Sequence, residues 1–360
     1  MAEALNIPVD QIKATIYGNC IGDAIGLATE FMVKKDVETH YGKKKHLEYK
    51  DIVRNFHRGR WEEGDWTDDS DQMILIMQSL LDKEGTADRL DFATKMKRWK
   101  DHGFPELGDI GGMGTGATTV GVLRHEKFFT VDDGFWKAGG CRAAPNGAVM
   151  RASVLGIHEF WSIEKVINNT LEMCAVTHHD PRCKASCVAV TTSIAFMLQK
   201  QPKHMKKGKY DISAIMKESF ELGKKCLSDE THLEEFKKHM FAKSLKDLQL
   251  AETGNIGYTY KTMGAGFWAL KQDNFRKAIE EIVREAGDAD TNGAVAGALL
   301  GCKLGHEKGI GFLPDSWLNE LKHKTWLDEK LSLFIKLVQK MSTETPEEKS
   351  SEKQEAKSDK

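Results

Sequence analysis

Two short stretches of this chain concentrate side-chain oxygens more densely than a helix start requires. The first, GDWTDDSDQM (residues 64–73), puts four aspartates into the seven residues from Asp65 to Asp71. It sets Thr67, Asp68 and Asp69 side by side just before the apolar run ILIMQSLL. The second, GDADTNGAVAGALLG (residues 287–301), sets Asp288, Asp290 and Thr291 before a small-residue helix. Acidic side chains favour the positive end of a helix, and one or two would satisfy an N-cap. Three adjacent oxygen-bearing side chains exceed that role, and close carboxylates repel unless something compensates them. Hard oxygen donors select magnesium, manganese or calcium over zinc. Two such patches, each opening a helix, suggest a split cation site at two helix starts that meet, with enough acids for two ions.

The second stretch imitates the opening of a calcium EF-hand loop, D-x-D-x-N-G. That loop needs a bidentate glutamate at its twelfth position, which here is Leu299, and a helix that starts at once leaves it no room. A third acid, Glu30, ends the small-residue helix GDAIGLATEF and fits the same picture. Asp23, earlier in that helix, reads as a local hydrogen-bond acceptor rather than a ligand.

The elements that must position these groups are helices. IKATIYGNCIGDAIGLATEF places Ile12, Ile16, Cys20 and Ile25 near helical spacing; DQMILIMQSLLDK, RCKASCVAVTTSIAFMLQKQ and NFRKAIEEIVREA repeat the period. GAVAGALLGCKLG suits a helix packed closely on its neighbours. Strand-type alternation is nearly absent. Two glycine-rich stretches, residues 108–121 and 134–148, read as backbone-permissive loops between core helices. THHDPRC presents Thr177, His178 and His179 before a further helix.

Composition bounds the rest. The chain has 360 residues, 40% of them hydrophobic and 29% charged, with a formal net charge of −2, so nothing global calls for nucleic acid or a membrane surface. Its start, MAEALNIPVDQIKATI, lacks the layout of a secretory signal, and the longest apolar stretch, CVAVTTSIAFML, is too short and polar to span a bilayer. Seven scattered cysteines (Cys20, Cys141, Cys174, Cys183, Cys187, Cys226 and Cys302) show no zinc-type spacing. They read as reduced structural thiols of an intracellular protein, cytoplasmic or nuclear. Lys43 to Lys45 read as solvated surface. The tail STETPEEKSSEKQEAKSDK has no large apolar residue and reads as disordered.

Six motifs in order, GDAIGLATE, WTDDSDQM, GMGTGATTV, NGAVMR, THHDPRC and GDADTNGAVAGALLG, make residues 14 to 326 resemble the ADP-ribosylglycohydrolase family, enzymes that remove ADP-ribose from proteins. The resemblance implies an all-α, compact orthogonal helical bundle with a binuclear metal cleft. Together with the composition of the tail, this reads as one domain over residues 1–342, with 343–360 as a disordered charged tail. Carried over by position, the metal ligands would be Thr67, Asp68, Asp69, Asp288, Asp290, Thr291 and Glu30, with Asp290 serving both of two magnesium (or manganese) ions. Ser70 and Ala286 depart from the common threonine and glycine, outside the ligand set.

The same resemblance gives the glycine loops a role, the backbone from Gly112 through Gly114 to Gly116 and from Arg142 to Asn146 and Gly147 lining the diphosphate and ribose. His178 would face the nucleotide end and Asp109 the substrate side. Met150 and Arg151 read as scaffold, Arg151 pairing a buried acid. The ions would hold the ribose hydroxyls and activate a water, with Asp68 or Asp69 as base and Glu30 as competitor. The implied reaction is glycosidic cleavage of ADP-ribose from a modified side chain of a protein, or from a small ADP-ribose adduct, by a monomer. Because THHDP is nearer to arginine-directed members, ADP-ribosyl-arginine is the preferred substrate, with serine-linked or O-acetyl ADP-ribose as alternatives. A crystallin-like structural relative and a metal-dependent phosphatase are the readings from other classes.

Overall fold

The computed structural model describes residues 6–125 and 144–343. It is all-α. Before residue 125 come α1 (Val9–Gly26), α2 (Lys34–Tyr41), α3 (Asp68–Asp82), α4 (Arg89–His102) and α5 (Ala117–Arg124). Then follow α6 (Ser153–Ile157), α7 (Ile163–Ala175), α8 (Pro181–Gln199), α9 (Ile212–Gly223) and α10 (Glu230–Met240). The last are α11 (Thr259–Leu270), α12 (Phe275–Val283), α13 (Ala289–Lys308), α14 (Asp315–Asn319) and α15 (Lys324–Thr343). The strands among the described residues are the two-residue β1 (Met205–Lys206) and β2 (Lys209–Tyr210), paired antiparallel.

The core is organised around α1 and α13, which form the most extensive helix pairing. Neither is amphipathic, because each is sheathed by protein on every side: every residue of α1 from Ala14 to Gly26 is buried, and so is α13 from Ala289 to Cys302. Glycines four apart let their backbones touch. A Cβ on Gly18 would lie 2.2 Å from the Gly297 carbonyl oxygen, and one on Gly22 2.0 Å from that of Gly293. Because the seam runs antiparallel, the end of α1 must lie at the start of α13. A short 3-10 turn (Leu27–Thr29) carries the chain from α1 to Glu30. The Phe31 N–H then donates to the Gly287 carbonyl (2.7 Å), and the Gly287 N–H to that of Met32 (3.2 Å), which ties Glu30 to the approach of α13.

Two sequence expectations shift at element ends. The loop expected over 108–121 stops at Gly116, the N-cap of α5, so residues 117–121 are helical. At the C-terminus α15 runs through Thr343, carrying Ser342 and Thr343 of the expected tail, because Leu331, Phe334, Ile335 and Val338 bury one face of that helix. The remainder of the tail, residues 344–360, and residues 134–143 of the second glycine stretch with Cys141 and Arg142, lie outside the described residues. The six other cysteines are free thiols, five of them buried.

Candidate active site

The four aspartates of the 64–73 stretch each meet a different partner. Asp65 pairs with Lys322 (3.3 Å) and His323 (3.5 Å). Asp71 accepts two indole N–H groups, from Trp66 (2.8 Å) and Trp99 (3.0 Å). Asp68 and Asp69 open α3 and face a cleft. Thr67 is the N-cap, its hydroxyl oxygen accepting the Asp69 N–H at 3.4 Å.

The main capping acceptor of α3 comes from elsewhere. Asp23 of α1 receives the backbone N–H groups of Thr67 (3.1 Å) and Ser70 (3.0 Å) and their hydroxyls (2.9 and 2.7 Å). It is an acceptor, as the sequence suggested, but for a segment over forty residues away rather than a local one. Burial pushes its carboxyl up to about 7, against the pull of these donors.

The second patch arrives from α13. Asp288 is the N-cap yet makes no capping bond with its side chain. Its Oδ2 accepts from Asn146 Nδ2 (2.8 Å), while the Thr291 hydroxyl lies 3.1 Å from Asp288 Oδ1 and from both oxygens of Asp69. The two helix starts thus meet. Oxygens of Asp23, Asp69 and Asp290 gather within 4.8 Å of one another, and so do those of Glu30, Asp288 and Asp290, with Asp290 common to both groups.

The electrostatics of this cluster are unfavourable as it stands. Burial first, and then the charges of neighbouring carboxylates, hold Asp68, Asp69 and Asp290 well above the usual carboxylate range. Glu30 is also raised by burial, partly offset by His57, whose Nε2 lies 2.5 Å from Glu30 Oε2. Among the described residues no lysine, arginine or histidine forms an ion pair with Asp23, Asp68, Asp69, Asp288 or Asp290. Converging hard oxygens, their aspartates paired with no cationic side chain among the described residues, fit divalent ions of the magnesium or manganese type. Asp69, Asp288, Asp290, Thr291, Glu30 and Asp68 are the residues that could hold them. Asp23 is less suited, since four donors already occupy its oxygens.

A cleft of about 290 Å³ opens over this floor. It is lined by Glu30, Asp68, Asp69, Asp288, Asp290 and Thr291, and on the other side by Gly114, Gly116, Asn146, Gly147 and His178. Gly114 is needed as glycine twice over: its φ is +86°, and a Cβ would sit 2.4 Å from Asp68 Oδ1. The N-terminus of α5, from Gly116 to Thr119, also faces the cleft. Thr118, Pro145 and Gly257 continue into a second groove of about 730 Å³, which carries Arg182, Lys238, Tyr258 and Lys261.

Three expected site residues are not on this lining. Thr67 lies behind it, its hydroxyl given to Asp23. Gly112 turns onto the Trp99 ring, and its carbonyl is taken by Lys100 Nζ (2.8 Å). Asp109 faces a separate small hollow with Asp65, Asp71 and His323, and accepts the Phe104 N–H (3.0 Å). Among the described residues Arg151 pairs no acid directly, unlike the expectation; its guanidinium reaches Gln72 (2.7 Å), whose amide in turn donates to Asp68 Oδ2 (2.6 Å). The sequence reading missed Gln72, although it stands one helical turn from Asp68, and it missed His57, which no local pattern marks.

The ADP-ribosylglycohydrolase family model matches residues 5–347. An ADP-ribosyl-[dinitrogen reductase] glycohydrolase of Rhodospirillum rubrum is 25% identical over 88% of this chain and 91% of its own length. An ADP-ribosylarginine hydrolase of Serratia proteamaculans is 25% identical over 87% of this chain and 75% of its own. A solved structure described as an ADP-ribosylglycohydrolase-related protein complex superposes with a TM-score of 0.65 at 22% identity, over 93% of this chain and 99% of that one, and so shares the fold. No helix among the described residues is long and apolar enough to cross a membrane. With the match running nearly end to end, this chain belongs to the ADP-ribosylglycohydrolase family.

Proposed function

We propose that the protein is a metal-dependent hydrolase that cleaves ADP-ribose from modified arginine side chains. The observation that carries this reading is Asp290, whose carboxylate belongs to both oxygen groups at the junction of two helix starts. Two magnesium or manganese ions held there would supply charge to orient the ribose hydroxyls and to acidify a water. ADP-ribose is too long for the cleft alone, so its adenosine end is assigned to the adjoining groove past Thr118 and Gly257. The N-terminus of α5 and the backbone at Gly147 offer N–H groups to the diphosphate.

Asp68 is the base we favour. Its Oδ2 is held by Gln72, whereas Oδ1 is turned toward the space that the missing Gly114 Cβ leaves open. There it takes a proton from the attacking water as the anomeric C–N bond breaks, and it hands that proton on to the departing guanidino nitrogen, which leaves Asp68 ionised again. Oxocarbenium character at the ribose is stabilised by the surrounding carboxylates. Glu30, bonded to His57, is better placed to hold its side of the site than to collect a proton.

The arginine preference rests on the THHDP motif and on the relative named for ADP-ribosylarginine. Incubating the protein with magnesium and with arginine- or serine-ADP-ribosylated peptides tests it. ADP-ribose is expected from the arginine adduct; release from serine alone would overturn the preference.

A further inference from the structure

Arg151 is 1% exposed and pairs with no carboxylate among the described residues, an expensive arrangement for a guanidinium that burial lowers only to about 10. Its surroundings are otherwise apolar or neutral: the Phe92 ring 5.0 Å away, Met96 Sδ at 3.6 Å and the Met173 carbonyl at 3.3 Å. Two short bonds remain. Nη1 donates to Gln72 Oε1 and Nη2 to Thr177 Oγ1, both at 2.7 Å.

A guanidinium can only donate, and this fixes the direction of every bond downstream. Gln72 must present Oε1 to Arg151, so its Nε2 hydrogens point at Asp68 Oδ2. Thr177 accepts from Arg151, and the acceptor its own hydroxyl proton finds among the described residues is His178 Nδ1, 2.7 Å away. His178 then carries its proton on Nε2. That atom has no protein partner among the described residues and lies on the cleft lining, 3.1 Å from where a Gly147 Cβ would be.

We propose that Arg151 is a two-armed positioning residue: through Gln72 it orients the acid Asp68, and through Thr177 it locks His178 as an Nε2–H donor to an oxygen of the bound ligand. His178 is therefore a hydrogen-bond donor in this site and not a proton acceptor. This inference rests on the function proposed above only for the ligand's identity; the bond directions hold without it.

Long-range ¹H–¹⁵N spectra of the full-length labelled protein, without metal or substrate, read the His178 tautomer. The expected result is the Nε2–H form in the wild type, its loss in Thr177→Val, and its return in Thr177→Ser. Calorimetry with ADP-ribose and with magnesium separates the arms. Thr177→Val should weaken ADP-ribose about tenfold, one lost hydrogen bond's worth, and leave magnesium unchanged. Gln72→Met should weaken magnesium by about ten- to a hundredfold, as loss of a ligand's supporting bond does, and leave the tautomer intact. Arg151→Met should disturb both, but the single-arm variants decide the matter if it fails to fold. An Nδ1–H tautomer in the wild type, or one untouched by Thr177→Val, would overturn the inference. A wild-type protein that binds neither ADP-ribose nor magnesium would instead overturn the proposed function, and the tautomer would still decide this one.

Discussion

The starts of α3 and α13 share a sequence signature, acids and a threonine before an apolar run, yet they are supported in opposite ways. At α3 the helix-capping duty is delegated to Asp23, a carboxylate from α1 that collects two N–H groups and two hydroxyls. Asp68 and Asp69 are thereby released toward the cleft. At α13 the N-cap residue Asp288 is itself part of the oxygen cluster and caps nothing; Asn146 and Thr291 hold it instead. One start is built as structure with function attached, the other as function with structure borrowed from a neighbouring loop. The same residue types at a helix N-terminus do not have the same job, and only their partners tell them apart.

Removing the residue common to both starts should have the largest effect. Asp290→Ala is expected to lower ADP-ribose release by about a thousandfold or more, roughly 4 kcal/mol on the barrier. Initial rates with the arginine adduct measure it; a variant that keeps a tenth of wild-type activity would show that the two oxygen groups do not act through a shared residue. Next, the two capping arrangements can be set against each other. Asp23→Ala strands two buried N–H groups and should cost about 2–4 kcal/mol in urea unfolding. Asp288→Ala removes no capping bond, so its cost should fall on magnesium affinity, read by calorimetry, rather than on folding. Equal stability losses in the two variants would erase the distinction drawn here.

Much of this arrangement is legible in the sequence, and what is not has a physical cause. The D-x-D-T pattern at the start of α13 marks Asp288, Asp290 and Thr291 as cation ligands, while the family resemblance, not the spacing, singles out Asp290 as the shared one. The glycines at 18, 22 and 26 and at 293, 297 and 301 announce close packing, but spacing cannot say that these two stripes meet each other. Gln72 follows from helical geometry once Asp68 is chosen. His57 does not, because it reaches Glu30 from an irregular segment whose path depends on its fit against Phe31 and Trp61. Asp109 and Gly112 were expected at the ligand because the family resemblance carries the whole stretch around Gly114 over to the ligand. The loop instead turns between them, sending Gly112 onto Trp99 while Gly114 alone touches Asp68. A glycine's role depends on which way its neighbours face, and that is a tertiary fact.

Asn146 sharpens the comparison from the α13 side. Its amide bridges Asp288 and Thr262 Oγ1 (2.9 Å), fastening the helix start to α11. Asn146→Ala should weaken magnesium binding about tenfold, while Ser70→Ala, which deletes one of Asp23's four donors, should cost about 1 kcal/mol of stability and leave magnesium affinity alone. A magnesium effect in Ser70→Ala as large as that in Asn146→Ala would mean that the α3 cap also tunes the cluster.

The smallest effect expected is a pH dependence, and its sign is unusual for carboxylates. Asp23 titrates near 7 in the folded chain, against about 3.9 when unfolded, and Asp68, Asp69 and Asp290 are displaced in the same direction. Between those values the folded state holds protons that the unfolded state has released, so stability falls as pH rises from about 4 through about 7. In EDTA the Tm should therefore be a few degrees lower at pH 8 than at pH 5, and millimolar magnesium should remove most of the difference. Asp23→Asn should flatten the metal-free profile, since its share of the proton uptake is gone, whatever it does to the baseline. A metal-free Tm that climbs toward pH 8 would mean that the carboxylates find their compensation inside the protein, and the case for cations at the helix junction would lose its electrostatic basis.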